Sequence, residues 1–477
     1  MPSAKKLKIE GFGMACSTHS TVRQIQSAAD LEHSLQDSRE KGIPICLRGS
    51  GASYGDAALT TNHNLFDLRG MNKILNWDPE KGTLRAQAGV TISQIWRATI
   101  EDGYWPFVVS GTMVPTLGGA ISMNIHGKNC WSTGPIGDYV LSLKLLQPDG
   151  TTIECSRESK GEIFHAVIGG FGMLGCITEV ELQLKRIYSG LVEVRAHCTP
   201  SLRALFERFE ESLARSEYVV GWIDGFAKSE KLGRSLVHEA RYLKEEEDKE
   251  PSTSLSVQAQ TLSPRIFGVF PKKWMWLLMW PFANRVGMCF VNAVKYYLSR
   301  IFDRGKPYLQ SLVAFNFLLD YVPNWKKIYL PGGFIQHQSF VPLENAYETI
   351  KAILEITHRH QMPPFLAVFK RHRPDSFLMS HGVDGYSLAL DFPITASTRG
   401  KILLMTDEID TLVCSVGGRF YPAKDATLRG DTYRKSLPEE AIREFLELKT
   451  KVDPDGLMKT DLSDRLLHDG PHNPGIL

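Results

Sequence analysis

The chain has 477 residues, of which 43% are hydrophobic and 23% are charged, a composition typical of a folded globular protein. This length exceeds what one hydrophobic core usually supports, so we expect two large domains or one domain interrupted by another. The 55 basic and 53 acidic residues give a formal net charge of +2, which provides no basic field for nucleic acid and disfavours that class of partner.

The eight cysteines form no C-x-x-C pair, and no H-E-x-x-H motif is present. We interpret the cysteines as reduced thiols of a reducing compartment and predict no metal site. The N-terminus begins with basic residues but has no apolar h-region, so we predict no signal peptide. The expected location is the cytoplasm, with peripheral contact to a membrane left open.

The first third of the chain predicts short elements of both types. Apolar spacing over 20–43 predicts a helix, and Thr91 is the expected cap of a second helix over 91–100. A hairpin is expected at the Pro-Asp-Gly turn of 148–150. Alternating residues predict strands over 45–47, 65–68, 83–90, 139–146, 152–155 and 177–184. The pattern changes after about residue 188, where we place the first domain boundary.

The middle of the chain contains an unusual apolar segment at 274–294. It holds three tryptophans within seven positions, and lysines lie on both sides of it. Arg285 interrupts the apolar run, and a bilayer-spanning helix needs about 20 apolar residues, which disfavours a transmembrane helix. Two interpretations remain: a membrane-interface segment, or a core helix or lid over a substrate pocket. The charged run at 244–250 predicts a solvated loop.

Two glycine-rich stretches are the strongest signals for a ligand. Residues 48–56 read R-G-S-G-A-S-Y-G-D, which misses the dinucleotide fingerprint by one residue and lacks the P-loop ending. Glycines let consecutive N–H groups converge on an anion such as a pyrophosphate, although a structural turn also explains this loop. The stretch at 110–129 adds hydroxyl side chains and a helix start near Thr116, which favours a phosphorylated cofactor.

Together these stretches resemble the FAD-binding half of the vanillyl-alcohol oxidase superfamily, in which a PCMH-type domain of two α+β subdomains holds FAD. The matching segments are 48–56, G-T at 111–112, T-L-G-G at 116–119 and G-M-L-G-C-I at 172–177. The resemblance implies an α+β fold whose substrate domain has an antiparallel sheet flanked by helices. The expected parts are an FAD-binding domain over 1–188, a substrate-binding domain over 189–425 with a lid or membrane-facing segment at 272–300, and a C-terminal segment over 426–477 that returns to the FAD domain.

Within the superfamily the chain is most similar to the branch that oxidises the 2′-hydroxyl of decaprenylphosphoryl ribose. The similarity includes I-H-G-K-N at 125–129, G-F-I-Q-H-Q at 333–338 and G-G-R-F-Y-P-A-K-D at 417–425. Three positions depart from that branch. Ala389 stands in place of a reactive cysteine, Asn316 lies at or near the position of an active-site tyrosine, and Ser387 replaces an asparagine. These departures leave the sugar and its lipid carrier open.

The resemblance implies a set of FAD contacts. These are Leu47, Arg48, Gly49, Ser50, Gly51, Ala52, Ser53, Tyr54, Gly55, Asp56, Ala57, Gly111, Thr116, Leu117, Gly118, Gly119, Met123, Asn124, Ile125, His126, Ile177 and Tyr421. Members that tether FAD covalently place a histidine where Ala52 stands, and the loop before His126 has no counterpart of their cysteine. We therefore expect non-covalent FAD.

The resemblance also implies a reaction. Oxidation of a secondary alcohol removes the hydroxyl proton and delivers a hydride to flavin N5. The expected substrate is a polyprenyl-phosphate-linked pentose, oxidised to the 2′-keto sugar as the first half of an epimerisation that an NAD(P)H-dependent reductase completes. The catalytic candidates are Lys424, His126 and Tyr54. Lys424 is the first choice, either as a cation beside the flavin N1–C2=O edge or as a holder of the substrate hydroxyl.

Substrate contacts are expected at Gln336, Gln338, Lys370, Ser387 and Lys424. The two glutamines share a parity on a strand, so both amides face one side, and Lys370 can hold a phosphate as a point charge. Two alternatives stay open: a soluble sugar or aldonolactone oxidase of the same superfamily, and a non-catalytic membrane-associated protein with a flavin fold. The sequence leaves the catalytic base and the electron acceptor undetermined.

Overall fold

The computed structural model describes residues 5–266 and 269–468. Residues 1–4 of the predicted FAD-binding domain and 469–477 of the predicted C-terminal segment lie outside the described residues. The described chain folds as an α+β protein around three sheets of four, six and eight strands, with one small additional hairpin. The predicted fold class is confirmed, including an antiparallel sheet flanked by helices.

The four-stranded sheet has the order β1-β2-β4-β3. Its strands are β1 (Lys5–Glu10), β2 (Ser17–Gln24), β3 (Ile45–Arg48) and β4 (Asn64–Asp67). Helix α1 (Ala28–Glu40) begins at the Ser27 cap and connects β2 to β3. The predicted helix over 20–43 is therefore wrong before Ala28. Residues 17–24 alternate buried and exposed positions, a strand pattern, and pair with both β1 and β4.

The six-stranded sheet is built around one long central strand. Its strands are β5 (Ile74–Asp78), β6 (Thr83–Gln87), β7 (Tyr104–Pro106), β8 (Val140–Leu146), β9 (Thr152–Ser156) and β10 (Cys176–Arg186). Strand β10 pairs with β6, β7 and β8, and the predicted β8–β9 hairpin is confirmed. The helices of this region are α2 (Ile92–Thr99), α3 (Leu117–Ser122), α4 (Cys130–Thr133) and α5 (Gly161–Val167). Thr91 caps α2 as predicted, in a capping box with Gln94.

The eight-stranded sheet is antiparallel, with the order β16-β11-β13-β12-β18-β19-β17-β20. Its strands are β11 (Leu191–Thr199), β12 (Tyr218–Ile223), β13 (Ser235–Tyr242), β16 (Tyr308–Ser311), β17 (Phe334–Pro342), β18 (Leu366–His372), β19 (Gly385–Pro393) and β20 (Arg419–Phe420). Three helices pack on one face: α6 (Leu202–Leu213), α12 (Ala346–Arg359) and α13 (Arg399–Ser415). The other face is left for the glycine-rich loops, and this arrangement creates the site.

A helical segment with many exposed apolar side chains lies between β13 and β17. It contains α7 (Pro251–Ser254), α8 (Val257–Gln260), the hairpin β14 (Arg265–Ile266) and β15 (Phe270–Pro271), α9 (Met275–Met279), α10 (Arg285–Phe302) and α11 (Leu312–Asn316). We call residues 275–302, which comprise α9, α10 and the turn between them, the apolar cap because their exposed side chains include Leu278, Trp280, Val286, Phe290, Ile301 and Phe302. Phe290 is 60% exposed, so a core helix is not the correct interpretation of 274–294. None of the helices described is long and apolar enough to cross a membrane.

The last helices return to the beginning of the chain. They are α14 (Gly430–Lys435), α15 (Glu439–Val452) and α16 (Asp461–Leu467). Met458 bridges to Ile45, and Arg465 forms ion pairs with Asp56 and Asp425. The eight-stranded sheet begins at Leu191 and its last strand ends at Phe420. The domain limits given above stay a prediction.

Candidate active site

A cavity of about 420 Å³ lies between the glycine-rich loops and the open face of the eight-stranded sheet. One wall consists of backbone from residues 47–54 and from the stretch 110–126, and the opposite wall consists of side chains from β12, β13, β17, β18 and β19. Lys424 closes one end, next to Tyr54 and Tyr421, and α10 covers the other end. The cavity thus joins two chemically different surfaces.

The loop after β3 presents unused backbone donors to this cavity. The N–H groups of Gly49, Ser50, Gly51, Ala52 and Ser53 have no protein acceptor within the described chain. A Cβ on Gly49 would lie 2.0 Å from Thr116 Oγ1, and Gly51 has φ of +66°, so both positions require glycine. Consecutive free N–H groups in a tight turn form an anion-binding concavity. These residues fit the pyrophosphate of a dinucleotide cofactor.

Two side chains of the predicted loop, Arg48 and Asp56, brace it, and Arg48 also lines the cavity. The Arg48 guanidinium donates to the carbonyls of Glu10 at 3.0 Å and Ala58 at 2.9 Å. The Asp56 carboxylate accepts from Arg465 at 2.8 Å and lies outside the cavity wall. Gly55 also lies outside, where a Cβ would meet the Asp425 carbonyl at 2.0 Å. Asp56 and Gly55 therefore fix the loop against the C-terminal segment.

The second glycine-rich stretch contributes the neighbouring wall. Thr116 caps α3, and Gly118 lies so close to Ala88 that a Cβ would be 2.8 Å from the Ala88 methyl group. The predicted residues Ala57, Gly111, Thr116, Gly118, Gly119, Met123, Ile125, Ile177 and Tyr421 all line the cavity. Leu117 and Asn124 lie behind it. The Asn124 side chain accepts from the Gly137 N–H at 3.0 Å, which positions the chain just before His126.

Lys424 and Tyr54 meet at the end of the cavity that lies beside the loop after β3. The Lys424 ammonium lies 3.6 Å from the centroid of the Tyr54 ring, and Gln336 lines the same cavity. Gln336 also donates to Asp391, a fully buried carboxylate on β19. Burial lowers the pKa of Lys424 and raises the pKa of Asp391, and the attraction between the two partly restores their charges. This end can therefore hold an amine that exchanges a proton near neutral pH.

His126 is neutral and already engaged with Gln338. The amide nitrogen of Gln338 lies 3.1 Å from His126 Nε2, and since an amide nitrogen can only donate, the imidazole accepts there and carries its proton on Nδ1. Nδ1 has no partner among the described residues. Burial, reinforced by Lys370, holds the pKa of His126 well below its usual value. His126 thus offers a fixed donor and positions Gln338.

Of the other predicted substrate contacts, three line the cavity and one lies behind the cavity wall. Gln336, Gln338 and Lys370 line the cavity, and burial lowers the pKa of Lys370 to about 8. Ser387 lies behind the wall, where its hydroxyl contacts His372 Nε2 at 2.8 Å and Gln338 at 3.3 Å. Among the departures from the family pattern, Ala389 lines the cavity, whereas Asn316 is buried on α11 and donates to the Leu312 carbonyl.

Several lining residues were not predicted from the sequence. They include Phe12, Phe171, Lys128, Val220, Trp222, His238, Lys295, Leu318, Leu319 and Leu366. Lys128 lies inside the I-H-G-K-N segment and was available to sequence reasoning. His238 lies on β13 and Lys295 lies on α10 of the apolar cap, and neither residue is part of a sequence motif.

Three potential metal ligands lie together beside the cavity. The ligand atoms of His126, Cys130 and His372 are all within 4.8 Å of one another. Each group has a protein contact, however, and Cys130 Sγ accepts the Gly127 N–H at 2.8 Å. Burial raises the pKa of the Cys130 thiol to about 12, which disfavours the thiolate that a metal would bind. The predicted absence of a metal stays a prediction.

The glycine-built anion site, the amide and lysine side chains beside it and the α+β architecture define an FAD-dependent oxidoreductase. An FAD binding domain model matches residues 20–156, and FAD is the cofactor. The enzyme acts on alcohol groups of sugar-like substrates, as its relatives do.

The comparisons with known proteins specify the family. The chain is 30% identical over 471 residues to decaprenylphosphoryl-beta-D-ribose oxidase of Mycolicibacterium smegmatis, a match that covers 96% of this chain and 97% of that protein. It is 23% identical over 468 residues to L-gulonolactone oxidase of Mus musculus, covering 93% and 94%. L-galactono-1,4-lactone dehydrogenase of Arabidopsis thaliana is 35% identical over 160 residues, covering 34% of this chain and 26% of that protein. The chain belongs to the flavoprotein oxidoreductase family that contains decaprenylphosphoryl-beta-D-ribose oxidase.

Proposed function

We propose that this enzyme oxidises a secondary hydroxyl of a polyprenyl-phosphate-linked pentose to the 2′-keto sugar. A separate NAD(P)H-dependent reductase would then reduce the ketone with inversion and complete an epimerisation. The observation that carries the proposal is the grouping of Lys424, Gln336 and Gln338 at the FAD end of a cavity that continues, through Lys370, to the apolar cap. A polar sugar, an anionic phosphate and an apolar tail would meet these surfaces in that order.

The chain's own residues supply positioning and proton transfer. FAD, when bound, accepts the hydride from the sugar carbon. The lowered pKa of Lys424 keeps a neutral amine available near neutral pH, so we assign it the role of accepting the hydroxyl proton. Gln336 and Gln338 offer amide oxygens and nitrogens to the neighbouring sugar hydroxyls. His126 holds Gln338 in place and donates through Nδ1, and Tyr54 keeps Lys424 at this end of the cavity.

The apolar cap supports a lipid-linked substrate and peripheral contact with a membrane. Its apolar side chains are exposed along both helices, and grouped exposed apolar side chains mark sites of protein or membrane contact. Exposed basic residues flank it, namely Lys273, Arg300, Arg304 and Lys306, and cations of this kind attract anionic lipid headgroups. A bilayer that supplies the polyprenyl chain is the partner that suits both features.

The experiment that tests the proposal identifies the product. The holoenzyme is incubated with decaprenylphosphoryl ribose and a redox dye as electron acceptor, and the product is then reduced with borodeuteride. We expect the product of the enzyme to be two hydrogens lighter than the substrate. After the borodeuteride reduction, we expect a deuterium label at C2′. Turnover of L-gulono-1,4-lactone with no reaction of the lipid-linked sugar would instead favour the aldonolactone oxidase interpretation. No turnover of either substrate by a yellow holoenzyme would favour a non-catalytic role.

A further inference from the structure

The cavity continues past Lys370 to a second group of basic residues. Paired positions of adjacent strands form a row across the sheet, from Gln338 on β17 through Ala389 on β19 and Val368 on β18 to Trp222 on β12. With about 4.8 Å between strands, the three steps of this row cover roughly 14 Å. The distance from Ala389 to Trp222 is therefore sufficient for a sugar ring, and the next group of a substrate would lie over Trp222.

Lys295 reaches this place from the apolar cap. Its ammonium lies 4.2 Å from the centroid of the Trp222 ring. On α10 its neighbours Asn292 and Tyr296 are buried, whereas Lys295, Phe290 and Ile301 are exposed, and of these three Lys295 lines the cavity. One helix therefore presents a cation to the cavity and apolar side chains to the exterior.

Two more basic groups line the cavity together with Lys295. Lys128 donates to the Phe315 carbonyl and lies 4.4 Å from the centroid of the Phe315 ring. His238, on β13, lines the cavity where Val220 pairs with it. Burial lowers the pKa of Lys128 to about 7 and that of His238 to about 4, and Lys295 and Lys128 both contribute to the lowering at His238.

This group has no acidic counterpart within the part of the chain that the structure describes. No salt bridge is formed by Lys128, Lys295 or Lys370, and neither the Lys295 ammonium nor the His238 imidazole has a protein hydrogen-bond partner there. Lys128 is buried, and a buried cation is costly unless an anion compensates it, whereas Lys295 is exposed. The cavity is thus prepared for a ligand that brings a negative charge to this end.

We propose that Lys295, together with Lys128 and His238, forms a binding subsite for the phosphate of the lipid-linked sugar. The inference rests on the proposed function, because it assumes that the substrate is a sugar phosphodiester. With the reacting carbon at the Lys424 end, the sugar ring covers Ala389 and Val368 and the phosphate lies over Trp222. The prenyl chain then leaves along Leu318 and Leu366 beneath α10. Membrane contact by α10 and phosphate recognition by Lys295 are, in this arrangement, properties of one helix.

The test measures binding of farnesyl phosphate to the holoenzyme, by calorimetry and by the change in the flavin absorption spectrum. For Lys295→Met we expect affinity about 10- to 100-fold weaker than wild type, since hydrogen bonds to charged groups contribute on that scale. Lys295→Arg should recover most of the affinity. Farnesol, which lacks the phosphate, should bind both proteins equally. Lys435→Met, a charge change at an exposed lysine of α14 that is not part of the cavity wall, is the control and should bind farnesyl phosphate like wild type.

The outcomes separate this inference from the proposed function. If farnesyl phosphate binds wild type but Lys295→Met binds it with unchanged affinity, the phosphate lies elsewhere, for instance at Lys370, and the inference is wrong while the lipid-phosphate substrate stands. If wild-type holoenzyme turns over the lipid-linked sugar but shows no affinity for farnesyl phosphate, the subsite is likewise refuted. If neither compound is recognised, the proposed substrate class fails and the subsite fails with it.

Discussion

The two walls of the cavity are built in opposite ways. The FAD wall presents backbone N–H groups of one continuous loop, 49–53, together with small residues that allow close approach. The substrate wall presents long side chains, and its lysine and histidine side chains at positions 128, 238, 295, 370 and 424 come from separate elements. A backbone wall suits a cofactor that never changes, whereas a side-chain wall can be altered one residue at a time. Changes in substrate should therefore arise at the second wall alone.

The largest effect is expected where the backbone wall is filled. In Gly49→Val/Gly51→Val the new side chains collide with Thr116 and force Gly51 out of its φ of +66°, so we predict loss of FAD and of the yellow absorption bands of the purified protein. Gly400→Val is the control, because a Cβ there meets no atom within 4 Å. A double variant that keeps stoichiometric FAD would refute the anion-site assignment.

A substitution in the substrate wall should slow the reaction and leave FAD binding intact. We expect Lys424→Met to retain FAD but to lower the rate of flavin reduction by roughly 10²- to 10⁴-fold, the contribution typical of a positioned acid or base. Anaerobic stopped-flow absorbance with decaprenylphosphoryl ribose measures this rate. Lys435→Met, an exposed lysine on α14, should reduce at the wild-type rate. A Lys424→Met enzyme within threefold of wild type would remove Lys424 from the chemistry.

The ion pairs that connect α16 to the loop after β3 and to Asp425 are predicted to contribute to stability. Arg465 is buried and pairs with Asp56 and Asp425, so Arg465→Met removes the cation that faces these two buried carboxylates. Breaking such a pair usually costs about 3–5 kcal/mol of the free energy of unfolding. Denaturant unfolding of the holoenzyme should show this loss, with Arg443→Met, which has an exposed side chain, as the control. A loss below about 1 kcal/mol would contradict the assigned role.

The apolar cap predicts a moderate effect on membrane contact. Phe290→Asp/Ile301→Asp places charges on its exposed face, and we expect about tenfold less protein to co-sediment with vesicles that contain anionic lipid. Leu404→Asp, an equally exposed apolar position on α13, is the matched control and should sediment like wild type. Equal sedimentation of all three proteins would mean that the cap does not contact the membrane.

The smallest effect is a shift in pH dependence. Flavin reduction should become faster as the pH rises through the pKa of Lys424, because only the neutral amine accepts a proton, and the midpoint should lie well below the ordinary lysine value of 10.5. The Asp391 carboxylate attracts the ammonium and raises this pKa, so Asp391→Asn should move the midpoint to lower pH. A pH profile that is unchanged in Asp391→Asn would show that the two groups do not interact.

The contrast between the walls also explains what the sequence could predict. The FAD wall is contiguous in sequence, so its glycines were found as a motif, although the motif did not distinguish lining residues from supporting ones such as Asp56. Lys424, Gln336 and Gln338 were found only through resemblance to a family. His238 and Lys295 have no local signal, because the pairing of β13 with β12 and the packing of α10 alone bring them to the cavity.

The secondary-structure predictions show the same difference between elements determined by local residues and elements determined by long-range pairing. The capped helix α2 and the β8–β9 hairpin are determined by local residues, and both predictions are confirmed. Strand β2 was missed because the apolar residues after position 20 have helix-like spacing. Its strand conformation depends on pairing with β1 and β4, which the spacing does not reveal.

The central claim is that one cavity holds FAD against a lipid-linked sugar, and anaerobic titration of the holoenzyme tests it most directly. Decaprenylphosphoryl ribose is added while the absorbance of oxidised flavin is followed. We predict complete bleaching near one equivalent of substrate, with no bleaching by free ribose. Bleaching by free ribose or by L-gulono-1,4-lactone, with the lipid-linked sugar inert, would contradict the account.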